Sequence, residues 1–223
     1  MKKIEKDLLI IVPIKKLDNV KSRLSQILSL EERITLTNFL LYELINKLIK
    51  IKTINKHLKI EIAIVTRNKI IESFAKRHKI QIINDADTKS LSAAMNIAAE
   101  WALKFHFKCI CIFLGDLANP TLEDIQKFIQ PPFLSNEIRL CPSHDYGTNA
   151  LFISPPKAIK FSYGRKSFYK HYISAIKSKL KISILPIQSL RNDIDDSSNL
   201  NEFLSQNKVE QFIKQNHLNI LSN

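Results

Sequence analysis

Two apolar runs in this 223-residue chain end beside carboxylates that could act on a ligand. "CICIFLGD" ends on Asp116, and "KISILPIQSLRNDIDD" carries Asp193 and Asp195 two residues apart. An aspartate just past a buried strand stands on a rigid base and opens toward the crevice where α/β sheets bind ligands. If Asp116 and one of the later pair converge, they form a hard oxygen site suited to Mg²⁺. Each also has a plainer use, Asp116 in a turn and the "DIDD" acids as caps of the helix that follows. A second group is basic. Lys15, Lys16, Lys21 and Arg23 crowd the loop "VPIKKLDNVKSRL" after the first apolar run. Ammonium charges and backbone N–H groups there could hold a triphosphate, and a solvated lysine face is the alternative. The pattern G-x-x-x-x-G-K-[ST] is absent, so this loop is not a P-loop.

Glycine marks further positions. The chain has 3 glycines, where ordinary usage gives roughly fifteen. Its 34 basic residues include only seven arginines, a skew toward Lys that matches AT-rich coding. Under such a bias a glycine persists mainly where the backbone needs φ > 0 or where a Cβ would obstruct a close approach. Gly115, Gly147 and Gly164 are therefore read as site markers, with Gly147 and Gly164 expected to let backbone approach a ligand.

The formal charge of +13 invites an anionic partner. The lysines are spread along the whole chain, however, and no Arg-rich run with interleaved aromatics marks a nucleic-acid surface. No run approaches the ~18 apolar residues of a membrane helix, and the basic start leads into a short strand rather than a signal peptide. Cys109, Cys111 and Cys141 have no zinc spacing and read as core residues of a reducing compartment. The expectation is a cytoplasmic protein with neither nucleic-acid nor membrane partners; a homodimer is left open.

The elements that must position these residues follow from periodicity. Strands are predicted at 7–14, 60–66, 80–85, 109–116 and 181–187. Helices are predicted at 29–50, 69–78, 90–105, 121–129 and 165–179, with another starting at 197. Ser29 and Glu32 are placed as a capping box. "EIRLCPS" and "TNALFIS" form a hairpin-like excursion near 137–154. Alternating strands and helices predict α/β architecture, a three-layer sandwich with a mostly parallel sheet. No linker or repeat divides residues 1–223, so a single domain is expected.

In this order the segments resemble the guanylyltransferases of coenzyme F-420 biosynthesis, which join GMP from GTP to 2-phospho-L-lactate, phosphoenolpyruvate or 3-phosphoglycerate. "VPIKKLDNVKSRL" resembles their V-P-[VI]-K-x-L-x-x-[AV]-K-[ST]-R-L, and "GTNALFISPP" (147–156) their G-T-N-A-L. "FSYGRKSFYKH" (161–171) resembles F-x-[YF]-G-x-x-S-[FA]-x-x-H, the most specific of the matches, and "NDIDDSSNL" (192–200) resembles D-[IV]-D-T-P-x-D-L. The resemblance runs from about residue 10 to 204. It implies a nucleotide-diphospho-sugar transferase-like fold and a phosphoacid held by Thr148, Gly164 and Ser167. It implies a triphosphate pocket of Pro13, Lys15, Lys21, Ser22 and Arg23, Mg²⁺ on Asp116, Asp195 and Asp193, and catalytic roles for Asp116 and Lys21. Such chemistry needs no general base, because the attacking phosphate is already anionic; His171 is then structural or substrate-orienting. The family's G-G-L-N-x-A before the central helix is replaced by "KSLSAA" (89–94), a loop on which base selectivity depends. Two other readings stay open: a nucleotidyltransferase of the same fold acting on a sugar or polyol phosphate, and a non-catalytic nucleic-acid-binding protein.

Overall fold

The first apolar run becomes a strand buried on both faces. The computed structural model describes residues 5–14, 20–85 and 88–205, so Lys15 and Lys16 lie outside the described residues. β1 (Lys6–Pro13) pairs in parallel with β2 (Ile60–Val65) on one side and β4 (Phe107–Phe113) on the other. β3 (Gln81–Ile83) extends the sheet in parallel beyond β2. On the far side β6 (Thr148–Ser154) runs antiparallel to both β4 and β5 (Glu137–Pro142), and β7 (Lys181–Ile184) closes the edge in parallel with β5. The order is β3-β2-β1-β4-β6-β5-β7. The expected excursion is thus a β5–β6 hairpin, built into the sheet rather than appended to it.

Side chains alternate across these strands, and helices cover both faces. Leu8, Ile10, Val12, Cys109 and Cys111 pack beneath α1 (Leu30–Ile54), α2 (Lys69–Arg77) and α4 (Leu122–Phe128). The cysteines are buried core residues, as the sequence predicts. Leu9, Ile11, Ile110 and Ile112 face α3 (Leu91–Lys104) and α5 (Ser167–Lys177), where Ala94, Ala98, Ala99 and Ala102 let α3 lie close to the sheet. The short α6 (Gln188–Arg191) and α7 (Ser197–Leu204) follow β7.

Element ends have local causes. The Ser29–Glu32 capping box forms as predicted. α1 runs a turn past the expected end, to Asn55, whose side-chain amide donates to the Ile51 carbonyl at 2.9 Å. β7 ends at Ile184 instead of 187, next to Pro186, which has no N–H for the ladder. α5 starts at Ser167 rather than 165 because Gly164 and Lys166 take φ values of 113° and 53°, which no right-handed helix accepts.

A candidate nucleotidyl-transfer cleft

A cleft of about 450 Å³ opens at the carboxyl ends of β1 and β4. Gly115 sets its floor. A Cβ there would lie 3.2 Å from the Pro13 carbonyl oxygen, so the missing side chain lets the two strand ends close together. Asp116 follows and faces Lys21. That lysine holds the left-handed conformation, φ 47° and ψ 48°, ahead of a single 3-10 turn at Ser22–Leu24. A non-glycine residue at positive φ needs support from its surroundings. Here Arg33, on α1, donates from Nη1 to the Val20 carbonyl at 2.8 Å, and Leu24 is fully buried.

Lys21 is a buried link rather than a free charge. Its side chain is 2% exposed; Nζ donates to the Ile194 carbonyl at 2.8 Å and lies 3.7 Å from Asp116 Oδ2. One ammonium thus joins the loop after β4 to the loop after α6. A short bridge between Leu117 and Asp193 and a 2.9 Å bond from the Ala118 amide to the Asn192 carbonyl reinforce the junction. Ile194 packs with Leu24, Leu36, Leu40, Leu200 and Phe203 in a small core of its own. That cluster brings the basic loop and the late acids to one wall.

The acids on that wall oppose one another. Burial, then Asp195 and Asp116, push the Asp193 carboxyl up to about 7. Burial raises Asp195 as well, with Asp116 and Asp145 adding to it while Lys21 and Arg23 oppose. Arg23, mostly exposed, reaches Asp195 at 3.7 Å. The two basic residues of the loop that are described are therefore both engaged by carboxylates. Among the described residues, no three His, Cys, Asp or Glu side chains are grouped to hold an ion by themselves.

Another part of the lining carries hydroxyls. Thr148 opens β6, Ser167 opens α5, and both are 2% exposed. The Ser167 hydroxyl donates to Thr148 Oγ1 at 3.2 Å, and Thr148 Oγ1 meets His171 Nδ1 at 3.0 Å. Burial, with Lys170 adding, pulls the imidazole pKa down to about 4. A Cβ on Gly164 would meet nothing within 4 Å; the positive φ, not crowding, demands glycine there. Gly147 also lines the cleft. Its missing Cβ leaves room for its own loop, since a methyl would sit 2.6 Å from Ser143 Oγ and 3.1 Å from Asp145 Oδ1. Asp145 accepts from the Ser143 hydroxyl and from the Gly147 N–H at 3.1 Å, and these bonds, Ser143 first, hold its pKa below the usual range.

Pro13, Lys21, Ser22, Arg23, Asp116, Thr148, Gly164, Ser167, Asp193 and Asp195 all line the cleft. Asp145, Asn149, Tyr163 and Leu91 line it too, without having been singled out from the sequence. The D-x-G spacing of Asp145 and Gly147 is an Asx-turn signal that could have flagged that acid. The "KSLSAA" stretch borders the cleft through Leu91; Ser90 caps α3 and Ser92 Oγ accepts from the Tyr163 amide at 2.8 Å. The Ser92 hydroxyl thus ties this stretch to Tyr163.

Comparison with known proteins narrows what such a cleft does. A family model described as "Guanylyl transferase CofC like" matches residues 8–221. A phosphoenolpyruvate guanylyltransferase of Sphaerobacter thermophilus is 29% identical over 193 residues, 86% of this chain and 90% of that protein. A 2-phospho-L-lactate guanylyltransferase of Methanocaldococcus vulcanius is 28% identical over 198 residues, 87% of this chain and 83% of its own length. A 3-phospho-D-glycerate guanylyltransferase of Colwellia psychrerythraea is 28% identical over 138 residues, 61% of this chain and 65% of that protein. A crystal structure from Desulfovibrio desulfuricans G20, provisionally described as a nucleotide-diphospho-sugar transferase, superposes with a TM-score of 0.70 at 16% identity, covering 93% of this chain and 90% of the other. It shares the fold.

Proposed function

The chain belongs to the CofC-like guanylyl transferases, and we propose that it transfers GMP from GTP to the phosphate of a three-carbon phosphoacid, with release of pyrophosphate, as a step of coenzyme F-420 biosynthesis. One observation carries this reading. Residues far apart in sequence line one cleft: Pro13 with Lys21, Ser22 and Arg23, then Gly115 and Asp116, then Thr148, Gly164 and Ser167, and Asp193 with Asp195. The neutral wall of Thr148, Gly164 and Ser167 suits a small acid anion. The wall of Lys21, Ser22, Arg23 and the acids suits a nucleoside triphosphate.

A phosphate oxygen of the acid attacks the α-phosphorus of GTP, and the bond from that phosphorus to the oxygen bridging the β-phosphate breaks. No proton need be removed, because the nucleophile is ionised at neutral pH. The task is to align two polyanions and offset their repulsion. Hydroxyls of Thr148 and Ser167 orient the acid. Arg23 and Ser22 face the triphosphate. Lys21 serves catalysis by fixing Asp116 against the 192–195 loop.

The donor set fits Mg²⁺. Asp116 and Asp195 are half-exposed carboxylates, and burial, with the charges of Asp195 and Asp116 added to it, raises Asp193 beside them. Mg²⁺ is ordinarily held by one or two carboxylates, its other sites taken by substrate phosphates and water. Asp116 and Asp195 would hold it, with Asp193 beside them, and the ion would supply charge neutralisation at the α-phosphate.

The test is direct: the protein is incubated with Mg²⁺, one of GTP, ATP or CTP, and each of the three acids, and pyrophosphate release is followed. GTP-dependent release with at least one acid is expected. Release with CTP or ATP in preference to GTP would mean that the "KSLSAA" stretch has changed the base pocket. A hydrophobic or open pocket rejects an added hydroxyl by only ~10²-fold, so activity on more than one acid is expected.

A further inference from the structure

His171 does not line the cleft, yet it touches the residue that opens the acceptor wall. Its ring is completely buried. Tyr163 packs edge-on against it with centroids 4.9 Å apart, and Phe161 lies 6.3 Å away, so the ring plane is held from two sides. On one edge the backbone N–H of Ser162 donates to Nε2 at 2.9 Å. On the other, Nδ1 lies 3.0 Å from Thr148 Oγ1.

The backbone decides which nitrogen carries the proton. An amide N–H can only donate, so Nε2 must present its lone pair. A neutral imidazole with a free Nε2 carries its proton on Nδ1 and donates it to Thr148. The ring is neutral, because burial and the adjacent Lys170 resist a second proton.

This tautomer controls how many hydroxyl protons remain for a ligand. Thr148 and Ser167 have one proton each, and the bond between them uses one. With Nδ1 as donor, the other proton is left over and turns toward the cleft that both residues line. With Nδ1 as acceptor, Thr148 would donate to the ring and Ser167 to Thr148, and neither proton would remain. We propose that His171 is a positioning residue of the acceptor pocket: by donating from Nδ1 to Thr148, it commits one hydroxyl proton of the Thr148–Ser167 pair to an anionic oxygen of the bound acid. The relay runs one way, from the Ser162 amide through the ring and the hydroxyls to the ligand. The proposal rests on the reading of this cleft as a phosphoacid site.

The test has a spectroscopic and a kinetic arm. Nitrogen-15 NMR of the ring in the ligand-free protein should show Nδ1 protonated and Nε2 bare; the reverse tautomer overturns the proposal. His171→Leu removes the donor and should raise the KM for phosphoenolpyruvate roughly 10- to 100-fold, the scale of one hydrogen bond to a charged group, with the KM for GTP within about twofold. His171→Asn, whose amide N–H stands in for Nδ1–H, should recover most of the loss. In a Thr148→Val background, His171→Leu should change neither constant further, because the residue it acts through is gone. Equal rises in both KM values, or additivity with Thr148→Val, would indicate packing alone and overturn the proposal. If His171→Leu does not fold, the tautomer decides. If the wild-type protein turns over none of the acids, the functional reading has failed by itself. Calorimetric titration with inorganic phosphate then decides this proposal: weaker binding in His171→Leu with near-wild-type binding in His171→Asn supports it, and unchanged binding in His171→Leu overturns it.

Discussion

Asp193, in the cleft lining, is pushed up to about 7, and His171, behind Thr148, is pulled down to about 4. Burial is the first cause of both shifts, but the two environments differ in what is left unsatisfied. The acid wall gathers Asp116, Asp193 and Asp195 around one buried ammonium, with Arg23 at the rim, and keeps a surplus of negative charge. The acceptor wall pairs neutral groups, and each ring nitrogen of His171 has its partner. The bonds among His171, Thr148 and Ser167 are in place before a ligand arrives, which limits the ordering cost of binding.

The largest effect should come from breaking the acid wall. Asp116→Asn should lower kcat by roughly 10²–10³, the scale of losing one strong electrostatic contact to the transition state. Its carboxyl is half-exposed, so the melting temperature should barely move. A folded Asp116→Asn protein that releases pyrophosphate at near-wild-type rate would end the metal assignment.

The two shifted groups also act on stability with opposite signs. The folded pKa of His171 lies below its unfolded value of about 6.5. Above pH 6.5 it contributes no slope. As pH falls toward 4, the unfolded chain binds a proton that the native state refuses, at a cost of ~3 kcal/mol over the window. Asp193 is raised instead, so the native state holds the extra proton and stability is lost as pH climbs from about 4 to 7. The two slopes largely cancel in the wild-type protein. Urea midpoints between pH 4.5 and 7.5, without divalent cation, separate them: Asp193→Asn should lose stability as pH falls, and His171→Asn should gain it. Parallel profiles for the two variants would show that the walls are not electrically distinct.

Gly164→Ala sharpens the acceptor side. The residue sits at φ 113°, and an added methyl meets no protein atom. The expected cost is backbone strain of roughly 1 kcal/mol in stability, with a KM for the acid raised about tenfold and an unchanged KM for GTP. A fall in melting temperature with both constants unchanged would make Gly164 a turn residue only. The smallest effect lies outside the cleft. Ser29→Ala removes the α1 cap and should cost ~1 kcal/mol by urea denaturation, with no change in either KM.

The strands and helices were legible in the sequence because burial on two sheet faces forces unbroken apolar runs and burial on one helix face forces a 3.6-residue period. "DLLIIVPI" and "CICIFLGD" could only be central strands, and β1 and β4 are adjacent. The acid and acceptor positions were legible through motifs that a ligand constrains directly. Lys21 was legible as a cleft residue but not as a buried tie between Asp116 and Ile194, because its partner lies 173 residues away. What crowds the Cα of Gly147 was not legible either: Ser143 and Asp145 approach it through the way the turn closes.

By itself, then, the sequence determined the element types, the parallel core and the residue kinds that line the cleft. These follow from short-range patterning and from chemistry that a side chain carries wherever it stands. Tertiary structure alone decided the rest: that β6 inserts antiparallel between β4 and β5, that Leu24 and Ile194 share a cluster which brings the basic loop to the acids, and that a backbone N–H at Ser162 fixes the tautomer of His171. Each depends on contacts between residues distant in the chain, and no local pattern encodes which of many compatible partners a buried group will meet.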